Sequence, residues 1–425
     1  MELLKKILSS SLWLLIGNSI GRLAMFLANI FAARMLSQEA FGQFAMIRNT
    51  ITSIEGLVSS SLSSPIIKNI SQTSHNKNED LSRLLSTIFV LNFFIGIILV
   101  ILLFLNTNFI INNFFLGNMS LVNGFYVGIF IFITTMFSTL LKSILIGFEK
   151  FKELSNLSII SSAISIPIII FLIYFYGFYG ALFGVGLYFM IDSFVKYNFY
   201  KKLNIGFTFN FKNILQQSKK LLLFSTPIFI SILINSFTFW YARVLIVNET
   251  NGFKDIAVFD AAFQWLTVIM IITGATTSVA LTMLSKVAKE NKKDSQKIFI
   301  LNLIVNFFIA LFISVIFIVF SKQIMGLYGD NYLVGIITLK ILCVVSIFFT
   351  LSSLVNKFII VNSNIYIIPL SSIIASAFLF SSLYYLNSFP PSEKLSIAFL
   401  IFYCTNFIMY IIFHFLFKIF DKDNN

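Results

Sequence analysis

The sequence predicts an all-α polytopic membrane protein of about twelve spanning helices, and three observations carry that prediction. Of its 425 residues, 58% are hydrophobic and only 11% are charged, whereas about a quarter of an ordinary soluble domain is charged. The apolar residues come in runs such as Leu84–Leu105 and Phe299–Phe320, close to the roughly 20 residues that cross a hydrocarbon core. Those runs do not alternate apolar with polar, which excludes the strands of a lipid-facing barrel.

The expected spans can be taken in order. The first, 11–33, follows Lys5 and Lys6 and is too long for the apolar core of a cleavable signal, so it stays in the membrane. The second, 40–64, is diluted by Arg48 and Glu55 and ends at Pro65. Spans 84–105 and 121–146 follow, then 155–175, interrupted by Pro167, and 178–199. Next comes a basic stretch from Lys196 to Lys220, with no acid after Asp192. Its Phe207, Phe209 and Phe211 suit a position along inner headgroups. The second half repeats the count with 221–246, 256–284, 298–320, 334–358, 365–386 (interrupted by Pro369) and 396–417. The layout is therefore an N-terminal lobe over 1–200, a basic linker over 201–220 and a C-terminal lobe over 221–425. Equal halves about a central linker point to an internal duplication. Ala33-Arg34-Met35-Leu36 and Ala242-Arg243-Val244-Leu245 occupy matching places in the two halves.

The net charge of +13 does not indicate nucleic acid, because the lysines sit in short loops between apolar runs. With both termini cytoplasmic, 22 basic residues fall inside. Only Arg34, Arg243, Lys254, Lys322, Lys340 and Lys394 fall outside, while Arg22 and Arg48 lie within spans. Cys343 and Cys404 both lie inside apolar runs, without a partner at metal-ligand spacing. No cofactor is expected.

Charges inside a span are costly and locate function. The first span carries Asn18, Arg22 and Asn29 on one helical face. The second carries Arg48, Thr52, Glu55 and Ser59 at the same periodicity. In the second half, Ser231, Asn235 and Thr238 line the seventh span, and Asp260, Gln264 and Thr267 the eighth. A cavity walled by spans one, two, seven and eight is expected. Spans three, five, nine and eleven should face lipid or serve packing alone. Arg22 with Glu55 reads as a cavity-lining pair or as a structural ion pair. Arg243 and Lys340 read as ligands or as interfacial anchors, and Asp192 with Lys196 as a helical ion pair at the inner interface. His75 and His414 read as bystanders.

No Ser-His-Asp set, HExxH, metal-binding aspartate cluster or phosphate loop is present, so the chain is not expected to be an enzyme. A two-lobed bundle with a charged inner face suits alternating access. Glu55 and Asp260 are the candidates for exchanging a proton or sodium ion. Asp260 is preferred for lying about one turn from the outer surface, and a carrier with no ion coupling is the equal alternative.

Gly17-Asn18-Ser19-Ile20-Gly21-Arg22, running on to Ala32-Ala33-Arg34-Met35-Leu36-Ser37-Gln38-Glu39-Ala40-Phe41-Gly42-Gln43-Phe44, resembles the start of polysaccharide-transporter flippases of the Wzx type. Phe224-Ser225-Thr226-Pro227, Ala242-Arg243 and Val258-Phe259-Asp260-Ala261-Ala262-Phe263-Gln264 extend the resemblance in the same order over essentially the whole chain. It implies the V-shaped fold of the multidrug/oligosaccharidyl-lipid/polysaccharide (MOP) superfamily, with two six-helix lobes. It also implies movement of undecaprenyl-diphosphate-linked oligosaccharide from the cytoplasmic to the periplasmic leaflet of the bacterial inner membrane. Arg22, Arg48 and Arg243 would meet the diphosphate or an acidic sugar, since guanidinium suits bidentate phosphate contact. Asn18, Asn235 and Gln264 would hold sugar hydroxyls. The implied partners are that substrate, membrane lipids, and polymerase and chain-length proteins of the same pathway. A teichoic acid or capsule-unit exporter of the same architecture, and a cation-coupled multidrug exporter, are the alternatives.

Overall fold

In a computed structural model, the structure describes residues 21, 23, 25–73, 78–203, 226–287, 292–362 and 365–423. Asn18, Arg22, His75, the side chain of His414 and most of the 201–220 linker lie outside the described residues.

The helices follow in chain order. Unit 1 begins with α1 (Met25–Met35), α2 (Gln38–Thr73), α3 (Asn78–Leu105), a short α4 (Thr107–Phe114), α5 (Val122–Gly147) and α6 (Phe151–Lys201). Then come α7 (Thr226–Val247), α8 (Gly252–Val287), α9 (Lys292–Val319), a short α10 (Ser321–Gly326), α11 (Ile336–Asn362), α12 (Ile367–Tyr385) and α13 (Pro391–Asp423). Among the described residues, nine helical stretches are long and apolar enough to cross a membrane. The 51-residue α6 is two helices meeting at Gly177, whose φ of 52° and ψ of −124° leave the helical region. A Cβ at Gly180 would strike the Leu172 carbonyl oxygen, and one at Gly184 would touch Ile169, so the second arm returns antiparallel along the first. The expected fifth and sixth spans are these two arms. Only glycine reverses the chain here without a Cβ penalty. The expected second span is α2, which is not among the nine because Arg48, Glu55 and its serines dilute it.

The chain folds as two compact units, Met1–Ser236 and Phe237–Asn425. In unit 1, α5 is central and packs on α2, α3 and α6. Phe41, Phe44, Ile47 and Ile51 form the buried face of α2. Ile47 and Ile51 sit so close over Gly124 and Gly128 that a Cβ at Gly128 would meet Ile51 at 3.0 Å. In unit 2, α11 and α13 are central, packing on α8, α9 and α12. Val355, Ile359, Ile367, Ile368 and Tyr410 make a buried cluster there, and Asn356 donates to the Tyr410 hydroxyl at 2.9 Å.

The outward faces match the expectation for the third and ninth spans. On α3, Phe93, Phe94, Ile98 and Leu102 are exposed, and on α9, Ile300, Leu301, Phe308 and Phe312. By contrast, α12 is half buried and serves packing. Ser371, Ser372, Ser376 and Ser382 are buried along it, small side chains that allow close helix approach.

Candidate functional site

In unit 1, α2 carries two polar groups two turns apart on one face, Arg48 and Glu55. Arg48 donates from Nη1 to Asn29 Oδ1 of α1 at 2.5 Å, and its guanidinium lies 5.1 Å from the Phe44 ring centroid. Asn29 is buried; it belongs to the polar stripe expected on the first span. One turn separates Phe44 from Arg48, so the helix itself supplies the aromatic platform.

Glu55 is buried and held by hydroxyls. Ser59 and Thr139 both donate to its Oε1, Thr139 from α5 at 3.0 Å. Ser59 and Thr139 stand 2.9 Å apart, and one turn further Ser143 donates to Ser63 at 3.0 Å. A ladder of hydroxyls therefore joins α2 to α5. Among the described residues no basic side chain pairs with Glu55. Its expected partner Arg22 lies outside them.

On its other side α5 meets a second carboxylate. Asp192 and Lys196 of α6 form an ion pair, and Ser138 donates to Asp192 Oδ2. The i,i+4 spacing announced that pair, but not its burial: both side chains are about 95% shielded.

In unit 2, α7 and α8 bring Arg243 and Asp260 together, Nε to Oδ1 at 3.9 Å. Both are buried. The guanidinium is enclosed by Phe259, Phe263 and Phe399, with centroids at 5.3, 5.1 and 5.4 Å, and Nη1 donates to the Phe239 carbonyl at 3.0 Å. Gln264, one turn after Asp260, accepts from the Tyr328 hydroxyl at 3.4 Å. Among the described residues its Nε2 has no hydrogen-bond partner, nor has the buried Oδ1 of Asn235 at the end of unit 1. Buried amides of that kind need a water or a ligand.

Sequence reasoning missed the three-ring cage, because Phe399 is far along the chain and 53 phenylalanines hide any single one. It also took Lys394 for an outer-loop charge. Lys394 is buried and donates to Glu249 at 2.7 Å and to Asn387 at 2.8 Å, clasping the α7–α8 and α12–α13 turns together.

Residues 7–286 match the family described as polysaccharide biosynthesis protein. No curated protein sequence matches the chain. An inward-facing multidrug-resistance MATE transporter of the MOP superfamily superposes with a TM-score of 0.75 at 13% identity, over 96% of this chain and 97% of that one. A MOP superfamily transporter from Pyrococcus furiosus, described as having a binding pocket of reverse polarity that suggests a different function, gives 0.70 at 15% identity over 98% and 95%. A Vibrio cholerae MATE transporter gives 0.68 at 16% identity over 100% and 98%. These likenesses establish the fold, and the family match covers well over half of the sequence. The chain is a multi-pass membrane protein that belongs to the polysaccharide biosynthesis protein family and has the MOP transporter fold.

Proposed function

We propose that the protein is a flippase that carries undecaprenyl-diphosphate-linked oligosaccharide, an O-antigen or similar repeat unit, from the cytoplasmic to the periplasmic leaflet by alternating access. The family match over residues 7–286 carries this reading. It is supported by Arg48, a guanidinium steered by Asn29 and Phe44 and only partly shielded within a long helix of the bundle. A diphosphate crossing the membrane needs such a group, and the fork of arginine matches two phosphate oxygens better than an ammonium does. Arg22, on the same polar stripe as Asn29, is assigned the second contact. Asn18, Asn235 and Gln264 are assigned to the sugars.

The test is complementation of a flippase-deficient strain. Arg22→Ala and Arg48→Ala should each abolish it while the protein stays in the membrane, and the lysine variants should recover it in part. Failure of the parent protein to complement that strain would overturn the reading, and full activity of both alanine variants would make the two arginines structural at most. The topology that goes with it puts both termini in the cytoplasm. Cysteines placed in the 106–120 segment should label from outside intact cells, and one at position 212 should not.

Cation-coupled multidrug export is the second reading, favoured by the MATE likeness in fold. Against it, Asp192 and Asp260 are already engaged by Lys196 and Arg243, which leaves few buried carboxylates for a cationic drug. Glycosyltransferase genes flanking this one would favour the flippase over the exporter. The same pairing weighs against Asp260 as the ion-exchange site. Glu55, which accepts from the Ser59 and Thr139 hydroxyls, is therefore taken as the candidate for proton or sodium exchange.

A further inference from the structure

Between α3 and α5, on the outward face of unit 1, lies a groove of about 470 Å³, within the 300–1,000 Å³ range of ligand cavities. Phe89, Phe93, Ile97 and Ile101 of α3 form one wall, and Ile133 and Phe137 of α5 part of the other. Asn92 is its single polar lining residue. The α3 wall rises twelve residues, about 18 Å at 1.5 Å per residue, so the groove runs along the helices and across the bilayer. At Gly96 the two helices meet: a Cβ there would lie 2.4 Å from Met136 Cε. The missing side chain lets Met136 pack against the α3 backbone at the floor of the groove.

One end of the groove is closed by aromatic rings and leads to positive charge. Phe89 lies 6.0 Å from Tyr200 and 6.4 Å from Phe137, and Phe137 lies 6.4 Å from Tyr197, between ring centroids. The Lys201 ammonium stands 4.9 Å above the Tyr197 ring, with Lys202 exposed beside it. An apolar trough open to hydrocarbon, ending in an aromatic collar topped by two lysines, is complementary to an amphiphile with a long hydrocarbon chain and an anionic head. The positive-inside asymmetry expected from the sequence puts that end in the cytoplasmic leaflet.

We infer that this groove docks the chain of a polyprenyl diphosphate, with the diphosphate at Lys201 and Lys202, as a holding site outside the translocation path. The inference rests on the proposed flippase function for its choice among anionic lipids. The continuous apolar wall of Phe89, Phe93, Ile97, Ile101, Ile133 and Phe137 offers a long prenyl chain dispersion contact along its length.

The experiment uses the full chain in phosphatidylcholine nanodiscs with a photo-crosslinking amino acid at position 97, read by mass spectrometry of the adduct. Undecaprenyl diphosphate should label, and an equal mole fraction of phosphatidylglycerol should reduce that labelling less than twofold. Ile133→Trp, which fills the groove, should lower labelling about tenfold. Lys201→Glu with Lys202→Glu should lower it several-fold without affecting folding of the buried wall. Equal labelling by phosphatidylglycerol would make the groove a site for any anionic lipid and overturn the assignment, as would full labelling of the double lysine variant. The two readings fail separately. Loss of labelling in a protein that still complements the flippase-deficient strain removes the groove alone, and labelling of a protein that fails to complement removes the flippase reading alone.

Discussion

Unit 1 and unit 2 each place a guanidinium over a phenylalanine near the start of a helix, and they do it differently. Phe44 lies in the second turn of α2, and Phe259 a little over two turns into α8. In unit 1 the cation over that ring comes from the same helix, Arg48, which is only partly shielded and is steered by a neutral amide. In unit 2 it comes from the preceding helix, Arg243, which is buried among three rings against a carboxylate. Ala45 follows Phe44, whereas Asp260 follows Phe259. One unit therefore neutralises and encloses its arginine, while the other keeps its arginine reachable. On the proposed function, the buried, ion-paired arginine of unit 2 serves the scaffold and the half-shielded Arg48 of unit 1 is the one that meets ligand.

The largest effect should come from breaking the enclosed pair. Arg243→Ala leaves Asp260 buried without its cation and should cost about 3–5 kcal/mol of stability, read as a lower melting temperature in detergent and a loss of membrane-resident protein. Arg243→Met combined with Asp260→Leu should restore most of it, since an apolar pair replaces an ionic one at little cost. Unchanged melting of Arg243→Ala would erase the contrast between the units. Arg48→Ala should do the reverse, abolishing complementation while melting within about 1 kcal/mol of the parent.

A backbone test comes next in size. Gly177→Ala places a Cβ at φ 52° and ψ −124° and should destabilise unit 1 by about 1–3 kcal/mol, visible as increased hydrogen exchange in α6 with unit 2 unaffected. The smallest expected effect is that of Glu55→Gln, which keeps the hydroxyl contacts and removes only the ionisable group. Flipping in reconstituted vesicles should slow under an imposed ion gradient and stay the same without one. Slowing of equal size in both conditions would assign Glu55 to structure.

Much of this was legible in the sequence because hydrocarbon imposes long apolar helices and lets few charges in. The expected span bounds left a break between 175 and 178, and the helix reverses at Gly177. Four-residue spacing placed Asp192 near Lys196, and the polar stripes singled out Asn29 and Arg48 on their separate helices. What the stripes did not reveal was how partners are shared between helices. Thr139 reaches Glu55 across 84 residues and Lys394 reaches Glu249 across 145, and such pairings follow from helix packing, which periodicity within one helix does not encode. Arg243 near a helix end fitted an interfacial anchor equally well until Phe399 closed the cage.

The reversal at Gly177 also bears on how the chain enters the membrane. From Leu154 to Ile191 there is no charged residue, and the two arms of α6 are joined without a polar loop. Nothing hydrophilic has to be pulled across the bilayer to seat them, so the arms enter together as one helical hairpin rather than one after the other. Their depth is then set from both ends: by Lys150 and Lys152 on one side of the bilayer, and at the tip by the exposed rings of Tyr174, Phe175 and Tyr176, which settle at the opposite headgroups. Lengthening the tip with charged residues should slow insertion of the hairpin, since those charges must then cross the bilayer.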